Sequence, residues 1–269
     1  MAVGAELASA PARRARPAAG VQICVLGSFQ ILKGPAPLPL RPGGKVEQLV
    51  GALALNAKGL VRDELLGLVW PESEQDLAGQ SLNTLVHWLS RSLSDALEGR
   101  APVLRQAGRY RLNTEGGVTI DAQAFDAAVD AGDHRLRSGD VVDAMVAYGT
   151  ALRLYGGDLA IGSGIQHVIE RERLRTRYLS VFARLADLHF AESDYERTLA
   201  DALRLLTCEP CREDAHRMAM RCYVRLGQRA QAMRQYRICA EVLALEYDAR
   251  PEELTEELYR LVRTDPAAV

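Results

Sequence analysis

The spacing of hydrophobic positions changes several times along this chain, and each change marks an element. The stretch VQICVLGSFQIL, from Val21, alternates and is rich in β-branched residues, and KGPAPLPL follows with Pro and Gly punctuation. A short antiparallel sheet is predicted between Val21 and Leu40. The period then lengthens: Val46, Leu49, Val50, Leu53, Ala54 and Leu55 recur at helical spacing, which predicts a helix from about Gly44 to Asn56, broken at Lys58 and Gly59. VRDELLGLVW reads as a short second helix that Pro71 closes, because the residue before a proline disfavours the helical region. A long third helix is predicted from about Leu77 to Leu97, with Gly99 and Pro102 as its stop. In VLRQAGRYRLN two extended runs flank a glycine, a hairpin signal. Sheet, three helices and hairpin, in that order, make a winged helix-turn-helix over residues 21–115.

The composition shifts at TEGGVTID, and from Ala122 to Val262 the pattern is helical throughout. Here the chain resembles itself. The segment SDYERTLADALRLL, from Ser193, lies over GQRAQAMRQYRICA, from Gly227, at an offset that matches the tetratricopeptide period of about 34 residues. GDVVDAMVAYGTALRLY, from Gly139, has the same rhythm, but Gly139 precedes Ser193 by more than one period, so an extra helix, GIQHVIERERLRTRYL, is inserted. Helix pairs stacked at that period form an array with a concave face. The expected fold class is therefore mainly α with a small β component: a winged helix followed by an all-α, tetratricopeptide-like domain over residues 121–263.

Composition narrows the function classes more than it selects one. No apolar run approaches the roughly 18 to 20 residues that span a bilayer. The stretch from Met1 to Gly20 lacks the basic start and apolar block of a secretory signal and reads as a solvated tail carrying Arg13, Arg14 and Arg16. Five cysteines, an odd number without an export signal, fit reduced thiols in a cytoplasmic protein. The net charge of -2 carries no nucleic-acid signature for the chain as a whole. Residues 1–115, however, hold 13 Lys and Arg against 10 Asp and Glu, and the remainder 20 against 25. That asymmetry permits a nucleic-acid-binding first half without demanding one.

Candidate chemistry concentrates in that half. On a helical wheel of the third helix, Leu82, Val86, Leu89 and Leu93 share a narrow arc with Leu85 at its edge, and this arc faces the core. Gln80, Thr84, His87 and Arg91 lie opposite, with Asn83 and Trp88 beside them. Gln bonds adenine, Thr meets a thymine methyl and Arg bonds guanine or phosphate, so this face suits a major groove; a plainly solvated face is the alternative. The hairpin carries Arg105, Arg109 and Arg111, with Arg100 just before it and no acidic residue between them. Alternation puts Arg109 and Arg111 on one face and Tyr110 on the other. Arg41, Lys45 and Arg62 are further candidate phosphate contacts. Cys208-Glu-Pro-Cys211 lacks the second pair a zinc site needs and reads as helix-turn packing. Pro42-Gly-Gly-Lys45 lacks the earlier glycine of a phosphate-binding loop, and the histidines have no nucleophile partner, so neither a cofactor nor catalysis is expected.

The motifs YGGDL, ERERLRTRYL, DYERTLADALRLL, PCREDAHRMAMRCYVRLGQRAQAMRQYR and PEELTEELYRLV, preceded by LVRDELLGLVWPES, resemble the Streptomyces antibiotic regulatory protein family: an OmpR-type winged helix fused to a bacterial transcriptional activator domain. The resemblance covers about residues 21–263 and is more specific in its second half. It implies a transcription activator without enzymatic activity, cytoplasmic and associated with the nucleoid. The third helix would enter the major groove of promoter direct repeats and the hairpin would lie at the minor groove. The helical domain would support a homodimer on DNA and contact RNA polymerase holoenzyme. Many relatives carry further C-terminal domains; with Val269 as the last residue, none is expected here. In one respect the chain departs from the family. Recognition helices there commonly end in Arg-Leu-Arg-Arg, whereas this chain has Trp88-Leu89-Ser90-Arg91. The departure keeps a second expectation open: a signalling module whose repeats bind a protein, peptide or small-molecule effector, with weakened DNA binding.

Overall fold

The computed structural model describes residues 20–162 and 164–269; the expected tail, with Arg13, Arg14 and Arg16, lies outside the described residues. Three strands open the chain as an antiparallel meander: β1 (Val21–Cys24), β2 (Gln30–Lys33) and β3 (Ala36–Pro37), with Gln22 opposite Leu32 and Leu32 opposite Pro37. They are followed by α1 (Lys45–Leu55), β4 (Leu60–Val61), α2 (Arg62–Val69) and α3 (Gln75–Leu93). The hairpin β5 (Val103–Gln106) and β6 (Arg109–Leu112) turns through Ala107 and Gly108, both at positive φ as a tight two-residue turn requires. β7 (Val118–Ile120) leads into α4 (Asp121–Arg137), α5 (Val141–Leu154) and α6 (Ile165–Ala191). The chain then continues through α7 (Tyr195–Cys208), α8 (Glu213–Arg225), α9 (Arg229–Tyr247) and α10 (Glu253–Thr264).

Two strands escape the hydrophobic pattern. β4 takes Val61 out of the expected second helix. Gly59 sits at φ +75° so close to β6 that a Cβ there would lie 2.6 Å from the Tyr110 carbonyl oxygen, and the chain leaves it extended, with Leu60 opposite Tyr110. β7 pairs parallel with β1, Val21 opposite Val118 and Ile23 opposite Ile120, and joins the β3-β2-β1-β7 sheet. The third helix is also shorter than its pattern suggests: after Leu93 the chain turns through Ser94–Gly99, although Leu97 stays buried.

The chain forms two compact units, residues up to Asp130 with Gly149–Arg175, and Ala131–Tyr148 with Thr176–Val269. The first thus packs more than the 21–115 stretch. Its core joins Val21, Ile23 and Ile31 of the sheet, Leu49 and Leu53 of α1, Leu65 of α2, Leu82, Leu89 and Leu93 of α3, and Phe125 of α4, all at most 2% exposed. Asp121, itself 2% exposed, closes the end of β1: one carboxylate oxygen accepts the Val25 and Ala122 N–H groups at 2.8 Å each, the other the Leu26 N–H at 3.1 Å. The YGGDL motif runs alongside. The Gly27 N–H donates to the Asp158 carbonyl and the Ala160 N–H to that of Val25, both at 2.8 Å. A Cβ on Gly27, at φ +81°, would collide with the Gly156 carbonyl oxygen, so the two backbones meet where only glycine fits. The Tyr155 hydroxyl donates to the Asp158 carboxylate at 2.8 Å, and its ring lies 5.3 Å from that of Phe125.

In the second unit α7 begins at Tyr195 and α9 at Arg229, one tetratricopeptide period apart as expected. Equivalent positions point inward: Ala144, Thr198 and Ala232 are fully buried, as are Tyr148 and Ala202, while Tyr236 is half-buried beneath the stacked ring of Tyr259. Tyr148 donates its hydroxyl to Asp133 at 2.7 Å, Arg184 binds the same carboxylate, and burial with this acceptor pushes the phenol up to about 12.

His216 of α8 is 1% exposed, and burial holds its imidazole below the ordinary value of 6.5. Below about pH 6.5 the unfolded chain therefore takes up a proton that the folded chain refuses, so stability falls as pH falls. The expected loss from this group alone is at most about 1.4 kcal/mol per pH unit. The check is urea unfolding at pH 7.5, 6.5 and 5.5 beside His216→Gln, which should flatten the profile.

Candidate nucleic-acid interface

α3 is amphipathic because its apolar residues recur every three to four positions, and the structure sinks that stripe. Ala78, Leu82, Leu89 and Leu93 are buried, and Leu85 and Val86 half-buried. Gln80, Asn83, Thr84, His87, Trp88 and Arg91 all stand on the exposed side. Trp88 is 38% exposed, large for an indole with no core to enter. Thr84 donates its hydroxyl to the Gln80 carbonyl at 2.9 Å, and Ser90 does the same to Val86 at 3.0 Å. No hydrogen bond or ion pair among the described residues engages the side chains of Gln80, Asn83, His87 or Arg91.

The start of α3 has the opposite sign. Glu72, Glu74 and Asp76 are exposed around its first turn, favourable to the helix dipole but repulsive to phosphate. The face suited to a polyanion therefore begins at Gln80, a turn inside the helix. These carboxylates are plain in the sequence as ESEQD, but a search for cations does not reveal them. Arg62, at the start of α2, lies against α3 where Gly79 has no side chain; a Cβ there would collide with its guanidinium.

The wing is a three-stranded sheet, β4-β6-β5. Arg109 and Arg111 share one face of β6, and Tyr110, 5% exposed, occupies the other. Arg105 stands opposite Tyr110 and so belongs to the Tyr110 face, its guanidinium carbon 5.6 Å from the ring centroid. The arginines are less free than their spacing suggests. Arg109 donates to the Gly59 carbonyl at 3.0 Å, and Arg111 to Gln106 at 3.1 Å, with Glu115 3.5 Å away. Arg100 pairs with Glu98 at 2.6 Å. The acidic residues that the run itself lacks stand at its two ends. Lys45 donates to the Val69 carbonyl at 2.6 Å and to Gln48 at 3.1 Å, capping the end of α2, whereas Arg41 is exposed.

The Cys-x-x-Cys stretch ends α7, with the Cys211 sulfur 3.8 Å from the Val242 carbonyl oxygen. Burial pushes the Cys222 thiol up to about 11 and the Cys239 thiol up to about 12, so both stay protonated. No group of three or more potential metal ligands occurs among the described residues, and no helix there is long and apolar enough to cross a membrane.

The profile of the bacterial transcriptional activator domain matches residues 120–263, more than half of the chain. The chain belongs to the bacterial transcriptional activator domain family. It is a transcriptional regulator of the Streptomyces antibiotic regulatory protein type. This family member is 26% identical over 252 residues to the transcriptional regulatory protein MoaR1 of Mycobacterium tuberculosis, covering 91% of this chain and 80% of that protein. Among solved structures it is similar to Mycobacterium tuberculosis EmbR in complex with a low affinity phosphopeptide, with a TM-score of 0.68 and 20% identity over 90% of this chain. It spans 65% of that structure's length, and at this identity the likeness is one of fold.

Proposed function

We propose that this regulator is a transcription activator that binds promoter direct repeats as a homodimer, with α3 in the major groove and the wing at the minor groove, and that it contacts RNA polymerase holoenzyme. The supporting observation is the outer face of α3. Four polar side chains, Gln80, Asn83, His87 and Arg91, stand exposed in one row without protein partners among the described residues. Such a row gives up no internal hydrogen bond on binding and matches the donors and acceptors of base edges. Arg62 at the helix crossing, exposed Arg41, and the Arg109–Arg111 face supply the positive charge that positions a duplex. The site of action is the cytoplasmic nucleoid, and no cofactor takes part.

Fluorescence anisotropy with a duplex from the gene's own upstream region tests this. Arg91→Ala is expected to weaken binding by about 1–3 kcal/mol and to relax discrimination at one base position. Arg109→Ala should weaken all sequences alike and reduce the salt slope by about one. Unchanged affinity in both variants would remove α3 and the wing from the interface.

A further inference from the structure

A cavity of about 290 Å³ opens in the second unit between α7 and α9. Its walls are apolar: Leu203 and Leu206 on one side, Ile238 and Val242 on the other. Leu203 and Ile238 are 38% and 41% exposed, so the mouth is open. The floor is polar and deeply buried, with His216 at 1% exposure and Gln235 at 6%.

The hydrogen bonds of that floor fix its protons. The Pro210 carbonyl can only accept, so His216 Nε2, 2.8 Å from it, carries the hydrogen. The other ring nitrogen, Nδ1, then holds a lone pair, and the Gln235 amide 2.7 Å away must offer it an N–H. The Gln235 carbonyl oxygen is what remains, and it has no partner among the described residues. It is not sealed in either: the one fully enclosed side-chain polar atom lacking a partner among the described residues is Oε1 of Gln22. The Gln235 oxygen thus keeps some accessible surface, on a side chain that lines the cavity.

The Thr207 hydroxyl, which also lines the cavity, already donates to the Leu203 carbonyl at 2.9 Å, so what the lining offers a ligand is acceptor oxygens, foremost the buried amide oxygen of Gln235, and these ask for a donor. No charged side chain lines the space, and burial keeps His216 neutral, so an ionic ligand finds no counter-charge. The volume lies at the lower end of ligand pockets, which suits a fused-ring fragment rather than a nucleotide. We propose that this cavity binds a neutral, planar aromatic group with a single N–H or O–H donor, of the size of indole, which donates to Oε1 of Gln235. This deepens the expectation of an effector on the repeats and does not depend on DNA binding.

Calorimetric titration of the full chain with indole, and with indene as a same-shaped ligand lacking the donor, tests it. Indole is expected to saturate one site. Indene, which displaces water from the Gln235 oxygen without replacing its hydrogen bond, should bind about tenfold more weakly. Ile238→Trp at the mouth fills the cavity without touching the polar floor and should abolish indole binding. Gln235→Met should erase the difference between the two ligands. N-acetyltryptophanamide separates the sources: binding as tight as indole assigns the site to a partner's tryptophan side chain, and weaker binding to a free aromatic molecule. No saturable indole binding, equal affinity for indene, or undiminished binding to Ile238→Trp would each overturn the proposal.

Discussion

Asp121→Ala is expected to cost the first unit about 3–5 kcal/mol of stability. The carboxylate is buried and accepts three backbone N–H groups, from Val25, Leu26 and Ala122. Alanine leaves these donors without a partner in a space that the surrounding core denies to water. Each stranded group costs about 1–3 kcal/mol, and the three share one site, so their costs do not simply add. The site is also where the chain is tied together. β1 ends there, α4 starts there, and the backbone of Asp158 and Ala160 is bonded to the adjoining residues. Asp121→Asn keeps one acceptor oxygen and should lose about half as much. Both tryptophans, Trp70 and Trp88, belong to the first unit, so urea unfolding followed by their fluorescence reads it directly. A loss under about 1 kcal/mol for the alanine variant would mean that Asp121 does not close β1.

Restoring the cations where family members commonly carry them should tighten DNA binding. In Trp88→Arg with Ser90→Arg, one guanidinium group is added on each side of Arg91. Trp88 is exposed, and Ser90 is half-buried with its hydroxyl bonded only to its own helix. Neither change opens the core. Each added phosphate contact raises the salt slope by about one, and the pair should raise affinity by about 10- to 100-fold at low salt. The increase should appear on any duplex, because phosphate contacts carry no sequence information. Anisotropy titrations at several salt concentrations measure both quantities. An unaltered slope would place both positions away from the backbone and would favour a protein partner for Trp88.

What is legible in the sequence follows the length of the signal. α1 and α3 carry apolar stripes long enough to separate a helix from a strand, and the β5–β6 hairpin is marked by a glycine between two alternating runs. The repeat of α7 and α9 survives because small residues at Thr198 and Ala232 recur where helices must approach. β4 and β7 span two and three residues, too few for any period, and their partners lie far along the chain. The role of YGGDL is hidden for another reason: its work is done by backbone groups and by the absence of a Cβ at Gly27. The outer face of α3 is legible residue by residue, because exposure follows from the wheel. The commitments of Lys45, Arg109 and Arg111 are not, because each depends on a carbonyl or side chain that only the fold brings near.

That α3 and the wing read DNA is tested most directly by titrating the unaltered protein at low salt against its own upstream region and an unrelated duplex of equal length. Saturable binding to the upstream duplex is predicted, at least about 1,000-fold tighter than to the unrelated one, with affinity falling steeply as salt rises. Equal affinity for the two duplexes, or no binding to either, would contradict it.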